Sequence, residues 1–258
     1  QVMFPKYYPN LDELEHKLKG FSYRCRKKDC LDLPEKLYAQ RYIDMTDEQR
    51  KIYNDLKKRA MAVVRDETIS YANKLTEVLR LHQVVNGFVK TDEGNIKEFK
   101  SNPKLKELMG ILEETEDKCI IWANYVFNIN QIKKAIGEVY GRDSVVSIYG
   151  EDSVQLRKDA VENFQHNDRC RFLVGNPTVG GYGLTLTAAR YVIYFSNSYN
   201  LEVRQQSEDR AHRIGQGAKV TYIDLIANKS IDEMILGSLE GKIEISAKTL
   251  GEEVQKWL

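Results

Sequence analysis

The stretch Gln206-Ser207-Glu208-Asp209-Arg210-Ala211-His212-Arg213-Ile214-Gly215-Gln216 concentrates side chains that can handle phosphate. Arg210 and Arg213 are three apart, so on a helix they would share one face, with Gln206 one turn earlier. Arginine stays protonated and presents a fork of donors, which suits charge developing on a transferred phosphoryl group. A pair on one rigid face could reach a nucleotide held by a second domain, in the manner of arginine fingers. The bland alternative is a solvated charged face, the usual fate of helical Arg and Glu. Asp209 and Glu208 read as groups that orient the arginines, and His212 as a packing residue.

A second phosphate-suited stretch lies upstream, Gly175-Asn176-Pro177-Thr178-Val179-Gly180-Gly181-Tyr182-Gly183-Leu184-Thr185. Glycine turns let backbone amides approach an anion closely, and a helix start is expected behind this one. Ordinary tight turns use glycine too. Two further loops carry polar groups that could meet a nucleic-acid backbone: Asn124, Tyr125 and Asn128 after an apolar run, and Ser153 with Arg157 after Gly150. For these, helix capping and a structural ion pair at Arg157 are the plain readings. The chain has no Gly-x-x-x-x-Gly-Lys-Ser/Thr loop and no strand-borne Asp-Glu pair for magnesium. What it carries is the trans-acting half of a nucleotide site, with no metal ligand set of its own.

The elements that must position these groups can be read from periodicity. From residue 101 the pattern alternates between helices and short apolar runs, with strands expected at 118–123, 144–149, 171–174, 191–195 and 220–226. Helices are expected from Ser101-Asn102-Pro103, over Val126–Tyr140, over Ser153–Phe164 and from Ser230 to the end, the last with Ile231, Met234, Ile235 and Leu239 inward. Such alternation specifies an α/β fold, an open parallel sheet flanked by helices, with ligands beyond the carboxyl ends of its strands. Earlier in the chain, Asn10 is a candidate N-cap for a helix, and Leu37 to Met45 reads as a strand. Thr46 and Gln49 form a capping box opening a long helix. A second helix runs from about Ser70 to Val85 with Leu75, Val78, Leu79 and Leu81 inward, followed by a hairpin around 91–95.

Composition adds bounds. The 258 residues carry a net charge of +1, so any nucleic-acid surface must come from local clustering. No apolar run approaches the length of a membrane span. The four cysteines show no zinc spacing and read as reduced thiols of an intracellular protein. The opening Gln-Val-Met-Phe-Pro looks like a cut inside a longer chain.

The Gln-x-x-x-Arg-x-x-Arg-Ile-Gly-Gln pattern resembles the last helicase motif of the Swi/Snf-type ATPases of superfamily two. Gly180-Gly181-x-Gly183 is similar to that family's Gly-Gly-x-Gly-x-Asn-Leu motif, with Thr185 in place of Asn, as in annealing or phage-type branches. Arg24 to Lys36 resembles the family's Arg-x-Lys-x-Asp-x-x-Leu-Pro-x-Lys link between motor lobes, and Ser196–Asn200 its Trp-Asn-Pro entry, with Tyr199 and Leu201 replacing Trp and Pro. Arg157 matches an arginine of the family's next helix.

The resemblance implies a RecA-like second lobe at 37–258, preceded by a linking segment at 1–36 and carrying a mainly helical insertion at about 45–100. It implies that Arg210 and Arg213 reach the γ-phosphate of ATP and that Gln206 couples them to neighbouring motifs. Gly181, Gly183 and Asp209 would line the nucleotide side. Asn124, Tyr125, Arg157, Thr178, Gly180 and Asn200 would meet double-stranded DNA. ATP with Mg2+ would be bound mainly by the missing first lobe, leaving this chain inactive alone. The setting would be the cytoplasm of a bacterial or phage-infected cell, or a nucleus, with no membrane. The rival readings are a non-enzymatic DNA-binding or partner-docking module with the same fold, and a lobe of a strand-separating or RNA helicase.

Overall fold

The computed structural model describes residues 10–20, 30–65, 71–91, 93–179 and 183–249. Six parallel strands form the central sheet: β1 (Lys36–Ile43), β4 (Cys119–Trp122), β5 (Val145–Ile148), β6 (Phe172–Gly175), β7 (Tyr191–Tyr194) and β8 (Val220–Ala227). Their spatial order is β1-β8-β7-β4-β6-β5, so the chain crosses outward from β4 in one direction and from β6 in the other. The five strands expected after residue 101 are all present, and the expected strand near Leu37 joins them as an edge, pairing Lys36 with Val220 through Ile43 with Ala227.

Strands β4 and β6 are buried along their whole length, which is why they read as continuous apolar runs. Alternate residues then serve opposite faces. Cys119, Ile121, Phe172, Val174 and Ile193 pack against α4 (Pro103–Glu113) and α5 (Val126–Tyr140). Ile120, Trp122, Leu173, Val192 and Tyr222 pack on the other side, against Phe164 of α6 (Val154–His166) and Ala211 of α7 (Leu201–Ala211). The caps follow from residue chemistry: Asn102 and Ser153 accept from the amides of Leu105 and Leu156.

A third cluster gathers α2 (Asp47–Arg65), α3 (Tyr71–Val85) and α8 (Ile231–Thr249) around Ile226 and Ala227. The capping box is formed: the Gln49 amide donates to the Thr46 hydroxyl at 3.2 Å, and the Thr46 amide to the Gln49 side chain at 3.1 Å. The hairpin β2 (Phe88–Lys90) with β3 (Ile96–Glu98) is antiparallel, as expected. Helix α1 (Leu11–Lys19) rests against α8. No helix among the described residues is long and apolar enough to cross a membrane.

Several expectations are corrected. Leu75, Leu79 and Met234 are 52%, 44% and 53% exposed rather than inward. Leu81, Val84 and Val85, closer to the sheet, supply the buried face of α3. Asn10 precedes α1 in a left-handed conformation and makes no side-chain cap. Of the cysteines, Cys119 and Cys170 are free and buried. Cys30 is disulfide-bonded, against the expectation of four thiols. A bridge depends on the approach of two Cβ atoms, which spacing alone does not announce.

Candidate functional site

Loops at the carboxyl ends of β4, β6 and β7 are tied to one another. The Asn176 side chain donates to the Asn124 carbonyl at 3.0 Å, and the Asn124 amide donates to the Ser196 hydroxyl at 2.9 Å. Gly175, at the end of β6, lets β5 pack closely beside it, since a Cβ there would lie 2.8 Å from the Ile148 carbonyl oxygen. Thr178 is exposed just beyond, its amide bound by the Asn176 side chain at 2.9 Å. Gly180 and Gly181 lie outside the described residues. Residues 183–190 form turns and irregular chain, not the helix start expected behind the glycines.

The arginine stretch departs from its expected form in one respect. Asn200 caps α7, accepting from the Val203 amide at 3.2 Å. The helix ends at Ala211, and His212 leaves it at φ −93°, ψ 79°. Arg210 therefore sits in the last helical turn, while Arg213 lies beyond the end. The cause is the Ile-Gly-Gln ending. Gly215 adopts φ 99°, and the buried Gln216 side-chain amide lies 3.1 Å from the carbonyls of Thr187, Ala189 and Ala211. That one amide pins the turn to the segment after the glycines.

The two arginines still converge. The Leu186 amide donates to the Arg210 carbonyl at 2.9 Å, and the Arg213 guanidinium reaches the Gly183 carbonyl at 3.5 Å. Gly183 has φ 68°, a conformation that favours glycine. Burial, then the neighbouring charge of Arg213, lowers the affinity of Arg210 for its proton, partly offset by Asp209. Two cations held near each other, one half-buried and one exposed, are what an anion would stabilise. Gln206 is half-buried on the same helix, and its amide donates to Glu202 at 2.9 Å.

The residues that reasoning from sequence missed are underneath. Arg204 is 3% exposed. It donates to both oxygens of Asp224 (2.5 and 3.1 Å), to Asn197 (2.7 Å) and to Glu208 (2.9 Å), with its guanidinium 3.4 Å from the centre of the Tyr194 ring. The Glu208 carboxylate thus bonds the Arg204 guanidinium, not that of Arg210 as expected. A helical i, i+4 Arg–Glu pair was the available signal, but such pairs are usually solvent-facing.

Other expected contact residues turn inward. Arg157 spans back to the Asp152 carbonyl with two bonds of 3.0 and 2.8 Å, a backbone clasp instead of an ion pair. Asn128 is fully buried and donates to the Asn86 carbonyl at 2.8 Å. The Tyr125 hydroxyl lies 2.9 Å from His82 Nδ1. His82 stands 3.8 Å from Asp232, and Asp232 pairs with the buried Lys104 at 2.6 Å.

Burial is the main reason the His82 pKa falls to about 4, with Asp232 opposing and Lys104 adding to the shift. The unfolded chain takes this proton near pH 6.5, the folded one only near 4. Stability therefore falls as pH drops through that window, by roughly 3 kcal/mol in all and about 2 kcal/mol by pH 5. Urea unfolding at pH 7 and pH 5 measures this. In His82→Gln the loss between the two pH values should shrink by most of that amount; an unchanged loss would remove His82 as its source.

The chain is similar in sequence and fold to known proteins. Residues 101–215 match the helicase conserved C-terminal domain. A putative ATP-dependent helicase/translocase of Bacillus subtilis, YwqA, is 28% identical over 94% of this chain and 27% of its own length. The Sulfolobus solfataricus SWI2/SNF2 ATPase core in complex with dsDNA superposes with TM-score 0.67 at 28% identity, over 92% of this chain and 53% of that one. The C-terminal part of the Fun30 ATPase domain shares the fold, with TM-score 0.68 at 16% identity, over 86% of this chain and 100% of that one. The fold is that of a RecA-like C-terminal lobe, a six-stranded parallel sheet with flanking helices. Within that fold, the chain is similar along most of its length to the C-terminal lobe of SWI2/SNF2 ATPases. It spans 22–27% of the length of the curated relatives it matches first.

Proposed function

We propose that this lobe, with its linking segment at 1–36, is the second motor half of a DNA-dependent ATPase that translocates on duplex DNA, inactive without its first lobe. The observation that carries this reading is the convergence of Arg210, Arg213 and the Gly183 carbonyl at one turn. A phosphate held opposite by another domain would meet both guanidinium groups. ATP with Mg2+ would sit mainly on that other domain. Asp209 and Gln206 would set the pose of the arginines and report the nucleotide to the loops after β4 and β6. Those loops, bonded to each other through Asn124 and Asn176, would present Asn124, Thr178 and Gly180 to one DNA strand, with Asn200 beside them, while Gly181 and Gly183 would line the nucleotide side. Tyr125 and Arg157, whose polar groups face the protein, would support that surface. The structural neighbour that holds duplex DNA supports this choice of nucleic acid.

The test is ATP hydrolysis with and without duplex DNA, by this chain alone and then joined to its first lobe. Silence alone and DNA-stimulated turnover after joining are expected. Turnover by the chain alone would refute the half-site. Silence in both, with the first lobe shown folded, would shift the reading to a non-enzymatic binding module. Stimulation by single strands or RNA in preference to duplex would point to a strand-separating or RNA helicase.

A further inference from the structure

Three residues leading into and opening β1 reach the end of α7 that carries Arg210. His212 Nε2 lies 2.7 Å from the Pro34 carbonyl, which accepts from it. The Lys36 ammonium stands 2.9 Å from Glu208 and 3.8 Å from Asp209. The Tyr38 hydroxyl donates to the same Glu208 oxygen at 2.9 Å. Positions 34, 36 and 38 fall on one side of an extended chain, and their partners at 208, 209 and 212 bracket Arg210.

Both ends of this arrangement are fixed. Glu208 is 2% exposed; burial disfavours its charge, but Lys36 and Arg204 together hold its carboxyl below the usual range. It is a permanent anion at physiological pH. On the other side, Tyr38 stacks on Tyr222 at 5.3 Å and Lys36 lies 5.5 Å from the centre of the same ring. Strand β8 therefore holds the segment while the segment holds the arginine turn.

We propose that Pro34–Tyr38 is a strap that positions Arg210, with Lys36 as its principal positioning residue, acting through Glu208 and Asp209. The inference rests on the reading of Arg210 as a phosphate ligand. Lys36 touches no reacting atom in this scheme. Its removal lets the last turn of α7 relax, and a misplacement on the order of 1 Å near a reacting centre can lower turnover about 100-fold.

The experiment uses the full two-lobe protein and measures DNA-stimulated hydrolysis in Lys36→Met, Lys36→Arg, Tyr38→Phe and Arg210→Ala. Lys36→Met should lower kcat roughly 10- to 100-fold, with KM for ATP and duplex affinity within about twofold. Lys36→Arg should recover most of the loss, since it restores the charge to Glu208. Tyr38→Phe deletes one hydroxyl and keeps the ring stack, so it tests the strap even if Lys36→Met fails to fold; a several-fold fall in kcat is expected. Wild-type turnover in Lys36→Met or in Tyr38→Phe overturns the strap, as does a Lys36→Met defect that Lys36→Arg does not relieve. If Arg210→Ala is dead while Lys36→Met is fully active, the strap falls and the half-site reading stands. If Arg210→Ala is itself fully active, both fall.

Discussion

Arg213→Ala in the two-lobe protein is expected to lower DNA-stimulated ATP turnover by on the order of 1,000-fold or more, the range seen when an arginine finger is lost, while leaving the lobe folded. The two halves of that expectation have separate grounds. Arg213 is exposed and its hydrogen bond to the Gly183 carbonyl is a long one, 3.5 Å. Truncation opens no buried cavity and strands no buried charge, so thermal unfolding of this chain should move by less than about 0.5 kcal/mol. Arg210→Ala should give a turnover loss of the same order with a larger effect on stability, because that side chain is half-buried. Lysine at 213 should rescue poorly, since a single ammonium cannot reproduce the planar fork. The measurement is kcat at saturating ATP and duplex, beside a melting curve. A fully active Arg213→Ala would end the finger assignment.

The second large effect concerns stability. Arg204→Met keeps the length of the side chain and removes its charge, leaving Asp224 and Glu208, both nearly without solvent contact, facing a thioether. Breaking a buried ion pair from one side costs about 3–5 kcal/mol, because the remaining carboxylate has no water to return to. Asn197 would lose a partner as well but keeps its bond to Asp224 at 2.7 Å. Urea unfolding of this chain at neutral pH should show the loss directly. A difference below about 1 kcal/mol would mean the cluster is better solvated than its burial indicates. Arg213 contrasts with it: of two arginines nine positions apart, one is buried in the fold and the other is the one proposed for the chemistry.

The layered sheet was legible because β4, β6 and β7 read as short apolar runs, and because Asn102, Ser153 and Thr46 announce the helices behind them. The carboxyl-end loops could be located from that pattern alone. What periodicity does not carry is partnership across long distances. Nothing local marks Arg204, or the burial of Glu208, because their partners, Asp224, Lys36 and Tyr38, belong to distant strands. Arg213 was placed on the helix because nothing local says that Gln216 will capture the Ala211 carbonyl and draw the chain off its axis. Leu75 and Leu79 match the apolar period of α3, yet the helix meets the core through its C-terminal end, at Leu81, Val84 and Val85.

The pairing of β1 with β8 also sets the order in which the lobe can be completed. Lys36 finds its neighbour only at Val220, and Ile43 only at Ala227, so the first strand made has to wait for the last. Contacts that close so long a loop form slowly and late. During synthesis, β4 to β7 can pair while β1 is still an unpaired edge, and an unpaired edge is a site of misassociation. The arginine turn gains its Lys36 and Pro34 contacts only when β1 docks on β8. A newly made chain would therefore have a sheet before it has a set arginine turn.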